Sequence, residues 1–278
     1  MNIGIRLHDV APGTFEERMR IVHEQGFGCG HLALYKMLKE YPNDDSALTP
    51  GYAAYIRRVF DENKVDIAVL GCYKNLATPD KEALKKTQHS YMAHLRFASL
   101  LGAGVVGTET GCPNVEYKFT PENRTDKAMG IFIEGLAPVV EYAEKMGVIL
   151  AIEPVAKHIV WCPKVARKVL DKIGSPNLQI IFDPVNLLDK ENCTHQKDIC
   201  KEAIELLGDD IAMIHIKDYV VKDGDLSSLA CGLGQMDYTD IVKFAKERKP
   251  FIHVSLENTL PENAVQARLH LQKLYDEA

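Results

Sequence analysis

The sequence predicts an α/β protein, a single (β/α)₈ TIM barrel that takes in residues 1–278. Eight short apolar runs alternate with longer stretches in which apolar residues recur at the helical period. No Pro- or Ser-rich linker and no shift in composition divides the chain. The first run is followed by HDVAPG, which is not the GxGxxG turn expected of a doubly wound dinucleotide-binding sheet.

The apolar runs have the composition of parallel strands that are buried on both faces. Each run is short, rich in Ile, Val, Leu and Ala, and mostly apolar at every position rather than at alternate positions. Repeated strand–helix units of this kind indicate a closed barrel. We expect strands at Ile3–Leu7, Leu32–Tyr35, Asp66–Leu70, Val105–Glu109, Val148–Glu153, Leu178–Asp183, Ile211–Ile216 and Phe251–Glu257.

The stretches between these runs carry start and stop signals of helices. Thr14 and Glu17, three residues apart, predict a capping box at the start of the first helix. Gly102 and Gly147 lie where two later helices should end, just before the next strand. Pro261 predicts the first turn of the last helix.

Composition and charge restrict the class of protein. The chain carries 33 basic and 39 acidic residues, a net charge of −6, without the basic cluster that a nucleic-acid-binding face needs. Its seven cysteines form no CxxC pair, and neither a secretory leader nor an apolar run of membrane-spanning length is visible. We therefore expect a cytoplasmic protein with reduced thiols that binds neither nucleic acid nor a membrane.

Four ionisable residues stand at the ends of the fifth to eighth runs: Glu153, Asp183, His215 and Glu257. The carboxyl ends of barrel strands meet at one face, so these side chains should converge on a single site. Three buried carboxylates at short range cannot all remain charged without a cation. Their oxygen-rich set, completed by one imidazole, predicts a divalent-metal site. We expect Mn²⁺, with Mg²⁺, Co²⁺ or Zn²⁺ as alternatives.

The segments IEPVAKH, SPNLQIIFDPVNLL, MIHIKD, GLGQMDY and SLENT resemble the sugar phosphate isomerase/epimerase family with the xylose isomerase-like barrel. This group includes ketose 3-epimerases, hydroxypyruvate isomerase and inosose dehydratase. The resemblance covers Val148 to Thr259. It implies that Glu153, Asp183, His215 and Glu257 hold the metal and that the two glutamates form the acid–base pair.

Further polar residues are candidates for contacts with a substrate. Asn186 stands where several relatives have a substrate-contacting histidine, and His158 follows the EPVAK turn after the fifth strand. Lys217, just beyond His215, is either a ligand for an anionic substrate or solvated. His8 follows the first strand and Glu109 ends the fourth, so both could line the pocket.

These observations predict a metal-dependent sugar epimerase or isomerase, whose glutamate pair moves a proton on the carbon next to the carbonyl of a ketose or ketose phosphate. The alternative is a lyase that dehydrates a keto-polyol or another keto-sugar at the same metal site. An endonuclease of abasic DNA is disfavoured, because Tyr35 and Leu70–Gly71 stand where such an enzyme has histidines after its second and third strands. A small sugar is the expected partner, and a homodimer or homotetramer remains open.

Overall fold

The computed structural model describes all 278 residues, and its centre is a closed barrel of eight parallel strands. Around the barrel the strand order is β1-β10-β7-β6-β5-β4-β3-β2, so the first and last barrel strands pair with each other. The barrel strands are β1 (Asn2–Arg6), β2 (Cys29–Leu32), β3 (Asp66–Gly71), β4 (Val105–Glu109), β5 (Ile149–Glu153), β6 (Leu178–Phe182), β7 (Ile211–Ile216) and β10 (His253–Leu256). The predicted (β/α)₈ barrel is confirmed.

Helices surround the barrel and connect its strands. They are α1 (Phe15–Glu24), α2 (Leu34–Met37), α3 (Pro50–Glu62), α4 (Lys81–Leu101), α5 (Asp126–Met146), α6 (Pro163–Ile173), α7 (Gln196–Leu207), α8 (Thr239–Arg248) and α9 (Ala264–Glu277). The capping box of Thr14 and Glu17 is present at the start of α1. Gly102 and Gly147 end α4 and α5 in the left-handed conformation, which glycine adopts without steric cost. None of the helices combines the length and apolar character needed to cross a membrane.

The predicted second strand is wrong by three residues. The strand occupies Cys29–Leu32, whereas Leu34–Met37 forms the short helix α2. Gly28, just before the strand, and Gly30, within it, made the strand hard to recognise in the sequence, since glycine lowers strand propensity. Gly30 is needed because a Cβ there would lie 2.8 Å from the Leu7 side chain.

Two other features differ from the predictions. An antiparallel hairpin of β8 (Asp218–Lys222) and β9 (Asp225–Leu229) follows β7 directly, in a segment for which no strand was predicted. The last helix begins at Ala264, three residues after Pro261.

The core has two layers. A cluster of 72 buried residues fills the space between the barrel and its helices. A second cluster of seven residues comes entirely from strands β2 to β7 and includes Val69, Ile181 and Met213. Such inward side chains fill the barrel below the carboxyl ends of its strands. They form an apolar floor under the polar residues described next.

Candidate metal and active site

A cavity of about 250 Å³ opens at the carboxyl ends of the barrel strands. A groove of about 530 Å³ beside α8 and α9 is larger, but it contains none of the buried carboxylates. The smaller cavity is therefore the candidate site. It is lined by Arg6, His8, His31, Ala33, Tyr35, Lys36, Tyr73, Glu109, Glu153, Asn186, Lys217, Glu257 and Asn258.

The four predicted metal ligands lie together and all four are buried; Glu153 and Glu257 line the cavity, and Asp183 and His215 are enclosed beside them. His215 Nδ1 lies 3.3 Å from Glu153 Oε2 and 3.3 Å from Glu257 Oε1. Glu153, Asp183 and His215 each offer a ligand atom within 4.8 Å of the others. The convergence expected from strand ends is therefore present.

A turn after β6 fixes the orientation of Asp183. Its Oδ1 accepts hydrogen bonds from the backbone N–H groups of Val185 and Asn186, at 2.9 and 3.0 Å. The second oxygen, Oδ2, remains for the cavity side. The short Asx-type turn thus commits one oxygen to the backbone and leaves the other for the site.

Lys217 is the cation nearest to these carboxylates. Its Nζ lies 2.7 Å from Asp183 Oδ2 and 3.2 Å from Glu257 Oε2, and its side chain is 6% exposed. Burial opposes the charged form of Lys217, but Asp183, Glu257 and Glu153 outweigh burial and raise its pKa above the ordinary value. The ammonium group therefore compensates part of the buried negative charge.

Burial and neighbouring charges also shift the pKa values of Asp183, His215 and Glu257. Burial raises the pKa of Asp183 to about 6, against the attraction of Lys217. Burial also works against a charged His215, yet Glu257 and Glu153 raise its pKa to about 9. For Glu257, burial is outweighed by His215, Lys217 and Arg6, which lower its pKa.

Several buried atoms of the cluster make no hydrogen bond. They are both ring nitrogens of His215 and His31 Nδ1, while Asp183 Oδ2 has only the Lys217 ammonium as a partner. Buried polar atoms without a partner are costly, and oxygen and imidazole donors of this kind are the ligands of divalent cations. The residues present therefore fit a divalent metal.

Three of the five candidate substrate residues lie close to the metal ligands. The Asn186 amide donates to Glu153 Oε1. Lys217 lies between Asp183 and Glu257, as described above. Glu109 ends β4 beside Glu153 in the β4–β5 register and accepts a hydrogen bond from the Tyr117 hydroxyl, at 3.3 Å.

The two candidate histidines, His8 and His158, differ in their position relative to the cavity. His8 lines the cavity, and burial together with Arg6 lowers its pKa to about 4. His158 does not line the cavity. Its Nδ1 lies 3.7 Å from Glu109 Oε2, and its ring meets the edge of the Tyr117 ring. His158 therefore lies behind Glu109 and Tyr117 rather than at the cavity wall.

Sequence reasoning missed several residues that line the cavity, among them Arg6, His31 and Tyr73. Arg6 ends β1, and its Nη1 lies 3.6 Å from Glu257 Oε2. His31 was missed because β2 was placed too late. A histidine therefore does stand near the end of the second strand, and the argument from Tyr35 against an abasic endonuclease fails there. The third strand still ends at Gly71, followed two residues later by Tyr73 rather than a histidine.

Fold and site together define a (β/α)₈ barrel with a candidate metal centre at the carboxyl ends of its strands. The chain belongs to the xylose isomerase-like TIM barrel family, whose model matches residues 19–274. No curated protein sequence matches it significantly.

Solved structures share the fold at low sequence identity. A D-tagatose 3-epimerase-like protein is 19% identical, with 100% of this chain and 98% of that one covered at a TM-score of 0.77. The IolI protein with a binding zinc atom is 16% identical, with 100% and 99% covered at 0.75. The probable 3-DHS dehydratase AsbF from Bacillus anthracis is 14% identical, with 99% and 98% covered at 0.72.

Proposed function

We propose that the protein is a metal-dependent sugar epimerase or isomerase that moves a proton on the carbon next to a carbonyl group. One observation carries the proposal: two buried glutamates from different strands, Glu153 and Glu257, each approach the same histidine nitrogen to 3.3 Å beside a polar cavity. Paired carboxylates in one cavity can remove a proton and return one. Structures of an epimerase-like protein and a zinc-containing protein with this fold support the assignment.

Glu153, Asp183, His215 and Glu257 would hold the metal. When bound, a divalent cation supplies Lewis acidity, which makes a proton beside a carbonyl group more acidic. Mn²⁺ suits the three carboxylates best, and Mg²⁺, Co²⁺ and Zn²⁺ are the alternatives.

The residues of the chain would divide the proton transfer and the binding between them. The Asn186 amide holds Glu153 Oε1, so Glu153 is oriented to take a proton from one epimer. Glu257 takes the proton of the other epimer. The polar groups of His8, Glu109, Asn186 and Lys217 would bind the hydroxyl groups of the sugar, for which a cavity of about 250 Å³ has room.

The proposal also covers the domain organisation, the location and the partners of the protein. The chain acts as one domain over residues 1–278, in the cytoplasm, on a small sugar without a nucleic-acid or membrane partner. All seven cysteines are free. The proposal includes a homo-oligomer, a dimer or a tetramer, which the mass in solution tests.

The test is proton exchange in D₂O. Metal-loaded protein is incubated with ketoses, ketose phosphates and keto-inositols, and deuterium is sought at the carbon next to the carbonyl. Glu153→Gln and Glu257→Gln should each lower turnover about 10²-fold or more while metal content changes much less. Glu116→Gln, an exposed glutamate on a loop of the same face, is the control.

The two variants also separate the roles. With Glu257→Gln, deuterium should still enter one epimer, whose proton Glu153 removes, and no longer enter the other. Equal loss for both epimers would indicate collapse of the site. Near-normal turnover in either variant would remove that glutamate from the acid–base role.

A lyase is the second candidate, because a probable dehydratase has the same fold and the same proton removal can be followed by loss of a β-hydroxyl group. The Lys217 ammonium lines the cavity and would donate a hydrogen bond to a departing hydroxyl. Product analysis decides: a lyase yields an unsaturated or keto product 18 mass units lighter than its substrate, one water, whereas an epimerase leaves the mass unchanged.

A further inference from the structure

His31 and Tyr73 form a buried pair beside the candidate metal ligands. The His31 ring stacks on the ring of His215, with centroids 5.2 Å apart and 15° between the planes. Its Nε2 lies 3.0 Å from the Tyr73 hydroxyl oxygen. Neither residue belongs to the four-residue ligand set, so the role of the pair in the site is not explained by that set.

The other ring nitrogen of His31 faces the carboxylates. Nδ1 makes no hydrogen bond, lies 3.9 Å from Glu257 Oε1, and belongs to a side chain that is 2% exposed. His31, His215 and Glu257 each offer a ligand atom within 4.8 Å of the others. An unpaired nitrogen at this depth costs free energy unless a partner fills the gap.

The hydrogen bond of the pair is compatible with the tautomer that a ligand needs. When the Tyr73 oxygen accepts the Nε2 proton, Nδ1 carries the lone pair, and an outer partner of this kind commonly orients a metal-bound histidine. Gly71 makes room for the arrangement, because a Cβ there would lie 2.7 Å from the Tyr73 ring and 3.0 Å from His31 Nε2.

We propose, resting on the metal centre of the proposed function, that His31 is a fifth protein ligand of that centre and shifts its preference from Mn²⁺ toward Zn²⁺ and Co²⁺. Imidazole nitrogen suits these later metals, whereas carboxylate oxygen suits Mn²⁺ and Mg²⁺. A second imidazole therefore changes the selectivity that three carboxylates and His215 alone would give.

The direct test uses the unmodified protein. X-ray absorption at the zinc edge, on protein loaded with one equivalent of Zn²⁺, should show two imidazole ligands. A single imidazole would overturn the proposal, whatever the variants do.

Variants provide a second readout, the ratio of Zn²⁺ to Mn²⁺ affinity measured by competition with a chelating dye. His31→Gln should lower this ratio about tenfold or more, and Tyr73→Phe, which keeps the aromatic ring, should lower Zn²⁺ affinity about tenfold. His8→Gln is the matched control, because His8 lines the same cavity but belongs to neither group of ligand atoms. An unchanged ratio in folded His31→Gln contradicts the proposal.

The outcomes separate this inference from the function on which it rests. One imidazole at a fully loaded zinc site refutes the role of His31 and leaves the metal centre standing. Failure of the unmodified protein to bind any divalent cation refutes both the centre and its fifth ligand.

Discussion

Replacing Lys217 by Met should destabilise the metal-free protein far more than the metal-loaded protein. The Lys217 ammonium lies within 3.2 Å of both Asp183 and Glu257, and these carboxylates are buried. Methionine fills a similar volume but leaves the carboxylates facing each other without that cation. A bound divalent metal would supply the missing positive charge.

The expected magnitude follows from the burial of the pair. Removing one partner of a buried ion pair costs about 3–5 kcal/mol, because the remaining charge is uncompensated. Urea unfolding in the presence of EDTA should therefore show a loss of about 3 kcal/mol or more for Lys217→Met. If metal binding restores part of the lost stability, linkage requires that the variant binds the metal more tightly than the unmodified protein. Each 2.7 kcal/mol restored corresponds to an affinity about 10²-fold higher.

An ion pair of similar length at the surface provides the control. Lys164 Nζ lies 2.8 Å from Glu202 Oε1, but the lysine side chain is 70% exposed. Lys164→Met should cost at most about 1 kcal/mol, with or without metal. If metal-free Lys217→Met unfolds at the same urea concentration as the unmodified protein, the ammonium does not compensate the carboxylates.

Three other predictions use the same purified protein. Asp183→Asn keeps the Oδ1 acceptor of its turn but loses the charge, so metal content and the metal-induced rise in melting temperature should fall; an undiminished metal content would place the site elsewhere. Gly135→Ala should lower stability by about 1–3 kcal/mol, because its Cβ would meet the Leu76 carbonyl oxygen, whereas Gly130→Ala in the same helix has open space and should not destabilise the protein. Iodoacetamide should modify Cys162 first, since the other six thiols are buried; equal labelling of a second cysteine in mass spectra would contradict the burial pattern.

Sequence analysis predicted the bounds of a strand accurately where the strand is a continuous apolar run. Strands β3 to β7 lie within one residue of their predicted bounds, because each run ends at residues that favour turns or at an ionisable residue. Strand β2 is different. Its Gly30 permits close approach to Leu7, and that packing requirement is invisible until the neighbouring segment is placed. The misplacement concealed His31.

The candidate site was predictable to the extent that it depends on topology. The rule that parallel strand ends converge brought Glu153, Asp183, His215 and Glu257 together without any coordinates. The position of Lys217 between two carboxylates depends on side-chain torsions across three strands, which no local pattern encodes. The hairpin had a visible signal in the sequence, the Asp223–Gly224 dipeptide. Both residues adopt positive φ in the turn, as a two-residue hairpin loop favours.

The pairing of β1 with β10 has a consequence for the order in which the protein acquires its site. Asn2 lies opposite His253, so this seam joins segments separated by almost the whole chain, and contacts of such long sequence separation form slowly. Until β10 docks, β1 retains an open edge that can pair wrongly with another chain. Glu257 immediately follows β10, so the candidate ligand set is completed only when the seam closes. A nascent chain would therefore assemble most of its barrel before its cation site is complete, with only Glu153, Asp183 and His215 of the four ligands in place before the seam closes.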